Sequence, residues 1–230
     1  MITPRAVAVV PARAGSSRVA NKNFRTFDGT NLTEMALRVA AEADVFDHII
    51  LSTDASSGPS IAAAHGATLH QRSAHAALSS ATATDALDDL RETFATVGVR
   101  SNDYIFYLQP TSPHRTVRML RSAWEHLRSG DRPGLVSVVA VDPKYAKVLR
   151  IRDGDLAFEQ AESTLSSNQQ DLEPLYLPNG NVFAFRLDEY WSRGVFPVVG
   201  LSAMVQSPEE SLDIDTEEDF DAFLRSRSSR

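Results

Sequence analysis

Short apolar runs alternate with stretches of helical periodicity along most of this chain, and this alternation strongly restricts its fold. The first run, Ala6–Pro11, is continuously apolar, as expected of a strand covered on both faces. Leu32–Ala43 repeats apolar residues at helical spacing, and His48–Thr53 is a second run of strand length. Strands and helices in this order predict an α/β fold with a largely parallel sheet.

The rest of the chain is interpreted by the same rule. In chain order we expect a helix Ser60–His65, a strand Ala67–His70, a helix Asp85–Thr96, a strand Tyr104–Gln109, a helix Thr116–Arg128 and a strand Leu135–Val141. The expected fold is completed by strands at Asn181–Arg186, at Phe196–Leu201 and around Asp213–Asp215, and by a helix from Thr216.

The sequence becomes polar and irregular at residues 142–178. Within this segment, Asp153-Gly154 is the dipeptide of a tight hairpin turn between two short apolar runs. We therefore expect residues 1–230 to form one domain with a small lobe inserted at about 142–178.

The composition argues against several classes of protein. The chain has no cysteine, which excludes disulfides, thiolate nucleophiles and thiolate metal sites. A net charge of −7 argues against nucleic-acid binding, which needs a basic face. The apolar runs are too short to span a bilayer or to form a signal-peptide core, so we expect a cytoplasmic protein with no membrane segment.

Asp213, Ile214 and Asp215 form an alternating triplet near the C-terminus. In an extended strand, side chains two residues apart share a face, so both carboxylates point one way while Ile214 enters the core. Neighbouring carboxylates repel each other unless a cation lies between them. Because Mg²⁺ is bound by one or two carboxylates together with substrate phosphates, the pair predicts a magnesium site beside a phosphate.

The loop after the first predicted strand could supply the phosphate site. It concentrates Arg13, Arg18 and Lys22 around a glycine and two serines, at the end of a strand where ligands bind in open α/β sheets. The loop matches neither the P-loop nor the dinucleotide-binding glycine motif. A solvated basic loop would explain the first feature alone, and a solvated strand end that complements the dipole of the next helix would explain the second. Together, the basic loop and the carboxylate pair predict a nucleoside triphosphate site.

Three further polar segments lie at strand ends. Ser52–Asp54 is explained by turn chemistry, and so is the tight-turn dipeptide Asn179-Gly180. Gln109 has less structural reason to end an apolar strand, and we regard it as a candidate ligand-binding residue.

Together these segments resemble the acylneuraminate cytidylyltransferase family, the CMP-sialic acid synthetases and their relatives for other nonulosonic acids. The resemblance spans nearly the whole chain. Its anchors are Pro11–Ser16 with Lys22-Asn23, Phe46-Asp47, Ser52–Asp54, Leu108–Pro113 with Arg115-Thr116, Gln170–Leu172, Pro178–Gly180, and Asp213–Asp215 with Asp219-Phe220. The resemblance implies a Rossmann-like nucleotidyltransferase fold with a small dimerisation lobe, which matches the insertion, and a homodimer.

The resemblance also implies a reaction: a hydroxyl of an acidic sugar attacks the α-phosphate of CTP, giving a CMP conjugate and pyrophosphate. By resemblance, Arg13, Lys22, Asp213 and Asp215 are the catalytic residues, and the two aspartates bind Mg²⁺. The residues implied to bind CTP are Arg13, Gly15, Ser16, Arg18, Lys22 and Asn23 at the triphosphate, with Arg72 and Thr82 near the cytosine. Gln109 and Asn179 are implied to contact the acceptor.

The departures from the family lie mostly on the acceptor side. Where the family commonly has two arginines before Gln170–Leu172, this chain has Asn168 and Gln169, and Leu177 replaces a further arginine. Arginine binds a carboxylate through two parallel hydrogen bonds, which these residues cannot do. The acceptor is therefore expected to be an altered nonulosonic acid.

Alternative interpretations stay open. The acceptor could be another small acid, a 3-deoxy-octulosonate or a phosphonate, with Lys144, Lys147 and Arg150 of the inserted lobe as its cationic contacts. A nucleotide-binding module without catalysis, or a dehydrogenase on a similar fold, is a less favoured alternative.

Overall fold

A computed structural model describes residues 3–16, 18–130, 132–158, 166–196 and 200–228 of the chain. The strands are β1 (Ala6–Pro11), β2 (His48–Thr53), β3 (Thr68–Gln71), β4 (Tyr104–Tyr107), β5 (Gly134–Val141), β6 (Leu149–Arg152), β7 (Asp155–Phe158), β8 (Leu175–Arg186) and β9 (Ser202–Gln206). The helices are α1 (Leu32–Ala43), α2 (Gly58–Ala64), α3 (Ala83–Asp88), α4 (Arg91–Thr96), α5 (Val117–Arg128), α6 (Leu187–Arg193) and α7 (Glu217–Ser228).

Seven strands form one mixed sheet in the order β3-β2-β1-β4-β8-β5-β9. Strands β3, β2, β1 and β4 run parallel to one another, and β5 runs parallel to β9. Strand β8 lies antiparallel between β4 and β5. The predicted α/β fold with a mostly parallel sheet is confirmed.

Apolar cores lie on both faces of the sheet, because alternate residues of each buried strand point to opposite sides. Ala6, Ala8 and Val10 of β1 belong to one core with α1 and α5, whereas Val7 and Val9 belong to the other core. The continuously apolar β1 thus has the burial that its sequence predicts.

Helix α1 and strand β2 have the bounds that the sequence predicts, but the predicted helix Asp85–Thr96 is divided into α3 and α4. A long-range contact lies at the break: the carbonyl oxygen of Asp89 is 3.1 Å from Nε2 of His70. Local periodicity continues through Leu90 and Phe94, so it does not reveal this interruption.

One predicted strand is wrong, and a second lies partly outside the described residues. The segment around Asp213–Asp215 belongs to no strand of the sheet, although Ile214 is fully buried and its N–H bonds the carbonyl of Thr111. Of the strand predicted at Phe196–Leu201, residues 197–199 lie outside the described part of the chain, and the next strand that the structure shows is β9. Alternating polarity indicated which side chains are buried but not whether the segment pairs with a strand.

The predicted turn at Asn179-Gly180 is also wrong, because both residues lie inside β8. Pairing between β5 and β8 shifts register between Val136 and Val138, so β8 bulges at residues 179–182. Gly180 has a φ of 77° within this bulge. The backbone therefore bends without reversing direction.

The segment 142–178 holds a 3-10 helix (Pro143–Lys147), the β6–β7 hairpin, a second 3-10 helix (Gln169–Asp171) and the start of β8. The predicted hairpin at Asp153-Gly154 is confirmed, with β6 and β7 forming a sheet of their own. Residues 159–165 of this segment are not among those described. The division into one domain with an inserted lobe stays a prediction.

Candidate functional site

A cleft opens where β1 and β4 end at the same edge of the sheet. Its lining residues are Pro11, Arg13, Ser16, Arg18, Lys22, Asn23, Arg72, Ala81, Thr82, Ala83, Ala86, Tyr107, Gln109, Pro110 and Thr111. Eight of the predicted site residues are in this set: Arg13, Ser16, Arg18, Lys22, Asn23, Arg72, Thr82 and Gln109. The structure therefore brings the predicted nucleotide residues and Gln109 into one cleft.

The basic loop is tied to the end of β2. The N–H of Ala12 bonds the carbonyl of Ser52 at 2.9 Å, and the N–H of Ala14 bonds Oδ1 of Asp54 at 2.7 Å. Asn23 donates from Nδ2 to the carbonyl of Arg13 at 3.1 Å. Ser52–Asp54 therefore shapes the loop rather than forming an unrelated turn.

Gly15 lies in the same loop, in open space: an added Cβ would have no heavy atom within 4 Å. Its predicted contact with CTP stays a prediction. The next residue of the motif, Ser17, is outside the described part of the chain.

Two cations of the loop converge on Asp215. The buried Nζ of Lys22 donates to the carbonyl of Ile214 at 2.7 Å and to Oδ1 of Asp215 at 3.1 Å. The exposed Arg18 lies 3.2 Å from the other carboxylate oxygen. The triplet and the basic loop, which are far apart in sequence, thus meet at one end of the cleft.

Asp219 fixes the backbone that follows Asp215. Its Oδ2 accepts the N–H groups of Asp215 and Thr216 at 3.0 and 2.8 Å, and Thr216 Oγ1 accepts the N–H of Asp219 at 3.2 Å. Thr216 and Asp219 thus form a capping box at the start of α7.

Asp213 has a raised pKa. Although its side chain reaches the surface, partial desolvation is the main cause, and the like charge of Asp215 adds to it. A hydrogen bond with the side chain of Thr111 and the charge of Lys22 act in the opposite direction. The two negative charges therefore oppose each other, and a cation bound beside them would relieve this repulsion.

This donor set fits Mg²⁺, which combines hard carboxylate oxygens with substrate phosphates. Among the described residues, no cluster of three or more His, Cys, Asp or Glu side chains forms a cage for a metal ion. Binding of Mg²⁺ by Asp213 and Asp215 together with a phosphate-bearing ligand stays a prediction.

The other end of the cleft contains Arg72 and Thr82. Arg72 donates from Nε to Oγ of Ser52 at 3.1 Å, and burial lowers its pKa. Thr82 caps α3: its hydroxyl donates to Oδ2 of Asp85 at 2.8 Å and accepts the N–H of Asp85 at 3.1 Å. Thr82 lines the cleft, but its hydroxyl is already engaged, so its predicted contact with the base stays a prediction.

Gln109 faces the bulge of β8. A Cβ added to Gly180 would lie 2.8 Å from Oε1 of Gln109 and 2.5 Å from Oγ of Ser112. Together with the positive φ, this close approach explains why glycine occupies the position. Sequence reasoning assigned Gly180 to a turn and missed this contact.

Asn179 lies behind the cleft in a buried polar network. Its Nδ2 donates to Oε1 of Gln206 at 2.6 Å and to Oγ of Ser211 at 2.8 Å, while its Oδ1 accepts the hydroxyl of Ser137 at 2.6 Å. The side chain is engaged in holding the bulge, and a direct contact with an acceptor stays a prediction.

Arg115 is a structural element of the site that sequence reasoning used only as a family anchor. It is buried, and it donates to the carbonyls of Gln109, Gly180 and Asn181. Desolvation lowers its pKa to about 9, against the opposing charge of Asp213. One buried guanidinium thus ties the end of β4 to the bulge of β8.

The replaced arginine positions are not among the residues that line the cleft. Asn168 donates to Asp171 at 3.1 Å, Leu177 is 57% exposed, and the side chain of Gln169 is outside the described part of the chain. The lobe lysines bond locally, Lys144 to Asp142 at 3.0 Å and Lys147 to the carbonyl of Ser167 at 2.7 Å.

A family model described as Cytidylyltransferase matches residues 7–222, which include the basic loop, the cleft and the aspartate pair. The chain belongs to the cytidylyltransferase family. The resemblance seen in the sequence is thereby confirmed at the level of the family.

Curated relatives agree with this assignment. The N-acylneuraminate cytidylyltransferase of Streptococcus agalactiae serotype V is 28% identical over 93% of this chain and 51% of its own length. The CMP-N,N'-diacetyllegionaminic acid synthase of Legionella pneumophila is 29% identical over 92% of this chain and 91% of its own. The chain spans about half the length of the first of these relatives.

Solved structures share the fold. A CMP:2-keto-3-deoxy-manno-octonic acid synthetase complexed with CTP superposes with a TM-score of 0.68 at 14% identity, covering 98% of this chain and 99% of its own. A 4-diphosphocytidyl-2C-methyl-D-erythritol synthase gives 0.66 at 10% identity, covering 96% and 97%. The fold is therefore the Rossmann-like nucleotidyltransferase fold.

Proposed function

We propose that this protein transfers CMP from CTP to the hydroxyl of an acidic, sialic-acid-like sugar and releases pyrophosphate, with Mg²⁺ bound. The convergence of Lys22 and Arg18 on Asp215, at the mouth of a cleft that ends at Arg72, is the observation that carries the proposal. It combines a cationic phosphate site, a metal-binding carboxylate pair and a remote arginine for the base.

On the donor side, Arg13, Ser16, Arg18 and Lys22 bind the triphosphate. When the acceptor oxygen forms its bond to the α-phosphorus, the bond to the bridging oxygen of the β-phosphate breaks and negative charge accumulates on the pyrophosphate. Positioned cations stabilise that charge because they need no reorganisation as it develops.

Asp213 and Asp215 would bind Mg²⁺, which supplies further charge neutralisation to the phosphates when bound. Lys22 has a second role, since its Nζ holds both the carbonyl of Ile214 and the carboxylate of Asp215. It thereby fixes the triplet against the basic loop.

On the acceptor side, Gln109 orients the acidic sugar. Support comes from its place in the cleft and from the three backbone carbonyls that Arg115 binds around it. Asn179 contributes by holding the bulge through Ser137, Gln206 and Ser211. The arginine replacements favour an altered nonulosonic acid over ordinary N-acetylneuraminate.

Pyrophosphate release from CTP and Mg²⁺ tests the proposal across sialic, legionaminic, 3-deoxy-octulosonic and phosphonic acids. We expect turnover with a nonulosonic acid and none without an acceptor. CTP binding with no pyrophosphate from any acid would instead support a non-catalytic binding module. Turnover only with an octulosonate or a phosphonate would change the acceptor but not the reaction.

We also propose a cytoplasmic homodimer joined through the inserted lobe. Apolar side chains are exposed along the lobe and the start of β8, namely Tyr145, Val148, Ile151, Leu156, Tyr176 and Leu177. Clustered exposed apolar groups mark interaction surfaces.

Ile151→Asp tests the dimer, with Val195→Asp as the control, because these side chains are 76% and 58% exposed. Light scattering is expected to show a monomer for the first variant only.

Cell fractionation tests the proposed cytoplasmic location. In the described part of the chain, no helix has the length and apolar character needed to cross a bilayer.

A further inference from the structure

A chain of hydrogen bonds runs from the cleft into the protein behind Arg72. Nε of Arg72 lies 3.1 Å from Oγ of Ser52, which lies 3.0 Å from Nδ1 of His70. Nε2 of His70 lies 3.1 Å from the carbonyl oxygen of Asp89. Ser52 is fully buried and His70 is 6% exposed, so water does not compete for these bonds.

The direction of each bond follows from its chemistry. The carbonyl of Asp89 can only accept, so Nε2 of His70 carries the proton. In a neutral ring Nδ1 is then an acceptor, and the hydroxyl of Ser52 donates a hydrogen bond to it. Oγ of Ser52 is left to accept from Nε of Arg72. Burial lowers the pKa of His70, which agrees with a neutral ring.

The guanidinium of Arg72, at the cleft end of these hydrogen bonds, is available to a ligand. Among the described residues no carboxylate forms an ion pair with Arg72, which lines the cleft beside Tyr107. The carbonyl of Ala76 lies 3.4 Å from one terminal nitrogen. Burial raises the pKa of Tyr107 to about 12, so its hydroxyl remains protonated and adds no negative charge beside Arg72.

We propose that Ser52 and His70, held by the carbonyl of Asp89, are positioning residues that fix the Arg72 fork for the carbonyl oxygen and the unprotonated ring nitrogen of cytosine. A guanidinium without an anchor can rotate about its side-chain bonds, whereas Nε bound to Ser52 fixes the plane of the fork. Ordering the arginine before binding removes part of the entropic cost of recognition. The inference rests on the proposed function, because it assumes that the base lies at this end of the cleft.

His70→Leu and His70→Asn separate positioning from packing. Leucine fills the space without an acceptor, whereas the amide oxygen of asparagine can take the place of Nδ1. Calorimetry with CTP and with inorganic tripolyphosphate, both with Mg²⁺, measures the base end and the phosphate end separately. We expect His70→Leu to weaken CTP about fivefold to tenfold, to leave tripolyphosphate within about twofold, and His70→Asn to recover most of the loss.

A coupling experiment guards against misfolding of the leucine variant. Ser52→Ala removes the same link with a much smaller change in volume. In an Arg72→Ala background, neither Ser52→Ala nor His70→Leu should weaken CTP further, because the group that they position is gone.

Equal losses for CTP and tripolyphosphate, unchanged CTP affinity in Ser52→Ala, or a full further loss in the Arg72→Ala background would overturn the positioning role. A wild-type protein that bound CTP no better than tripolyphosphate would overturn the placement of the base at Arg72, whereas the absence of pyrophosphate release with every acceptor would overturn the proposed function itself.

Discussion

The two ends of the reaction site are built differently. On the donor side, Arg72 bonds Ser52 in strand β2, and Asn23 bonds the carbonyl of Arg13 just after β1. Lys22 bonds the carbonyl of Ile214 in the aspartate triplet. On the acceptor side, Gln109 faces a bulge in the antiparallel strand β8, and Asn168 and Leu177 lie apart from the cleft. If the proposed function is right, CTP binding should depend on the parallel half of the sheet, and the choice of acceptor should depend on β8 and the segment 142–178.

The largest expected effect is at the aspartate pair. Asp213→Ala or Asp215→Ala should lower kcat by at least about a hundredfold, because each change removes a ligand for the ion that neutralises the phosphates. Pyrophosphate release at saturating CTP measures it, and Asp221→Ala, an exposed change on α7, is the control. Retained turnover in both site variants would disprove the metal assignment.

Lys22 and Arg18, the two cations that contact Asp215, should contribute unequally to kcat/KM. Lys22 is 9% exposed and bonds both Ile214 and Asp215, whereas the side chain of Arg18 is 66% exposed. Lys22→Ala should lower kcat/KM by about a hundredfold, and Arg18→Ala by about tenfold or less. Arg38→Ala, an exposed change on α1, serves as the control. Equal losses for the two variants would show that burial does not determine their roles.

A substitution at the bulge of β8 tests whether acceptor binding can be weakened without a change in CTP binding. Gly180→Ala should raise the KM for the acceptor severalfold and lower the free energy of unfolding by about 1–3 kcal/mol, because the methyl group meets Gln109 and Ser112 at a positive φ. The dissociation constant for CTP should not change. Gly98→Ala, with a φ of 74° and open space around it, isolates the backbone strain. A matching loss of CTP affinity in Gly180→Ala would contradict the separation.

The smallest effect concerns stability. The raised pKa of Asp213 means that folding favours its protonated form, so the charged form costs stability above that pKa. Asp213→Asn should therefore raise Tm by about 1–2 °C at neutral pH. The gain should fade as the pH drops through the raised pKa towards 3.8.

Asp215→Asn is the matched comparison, and it should lower Tm, since it leaves the buried Lys22 without its ion pair. Thermal melts of both variants across this pH range measure the difference. A lower Tm for Asp213→Asn at neutral pH would contradict the predicted stabilisation.

The sequence predicted the parts of the site that depend on one local segment. Arg13, Arg18 and Lys22 were recognised together because they lie in one loop after one apolar strand. Ser52 and Asp54 were assigned to a turn, because their anchoring of Arg72 and of Ala14 depends on contacts between segments distant in the chain. Residue type and spacing carry no information about such partners.

The same limit explains the errors in the fold. Alternation around Ile214 predicted its burial correctly, but it could not show that the partner of Ile214 is a single carbonyl of Thr111 rather than a neighbouring strand. Asn179-Gly180 has turn composition, yet a positive φ at Gly180 serves a bulge equally well. Pairing partners, and not local propensity, decided both cases.

The bulge at residues 179–182 divides β8 into two sections. The outer section, Leu175–Pro178, pairs with the end of β5, and the inner section pairs with both β4 and β5 in the core. Ser137 bridges the division by bonding Asn179 and the N–H of Val182. A substitution in the outer section, such as Leu177 in place of the family's arginine, should therefore leave the pairing of the inner section with β4 and β5 unchanged. A protein engineer could exchange the outer section and lobe for those of a relative and retain the nucleotide half unchanged.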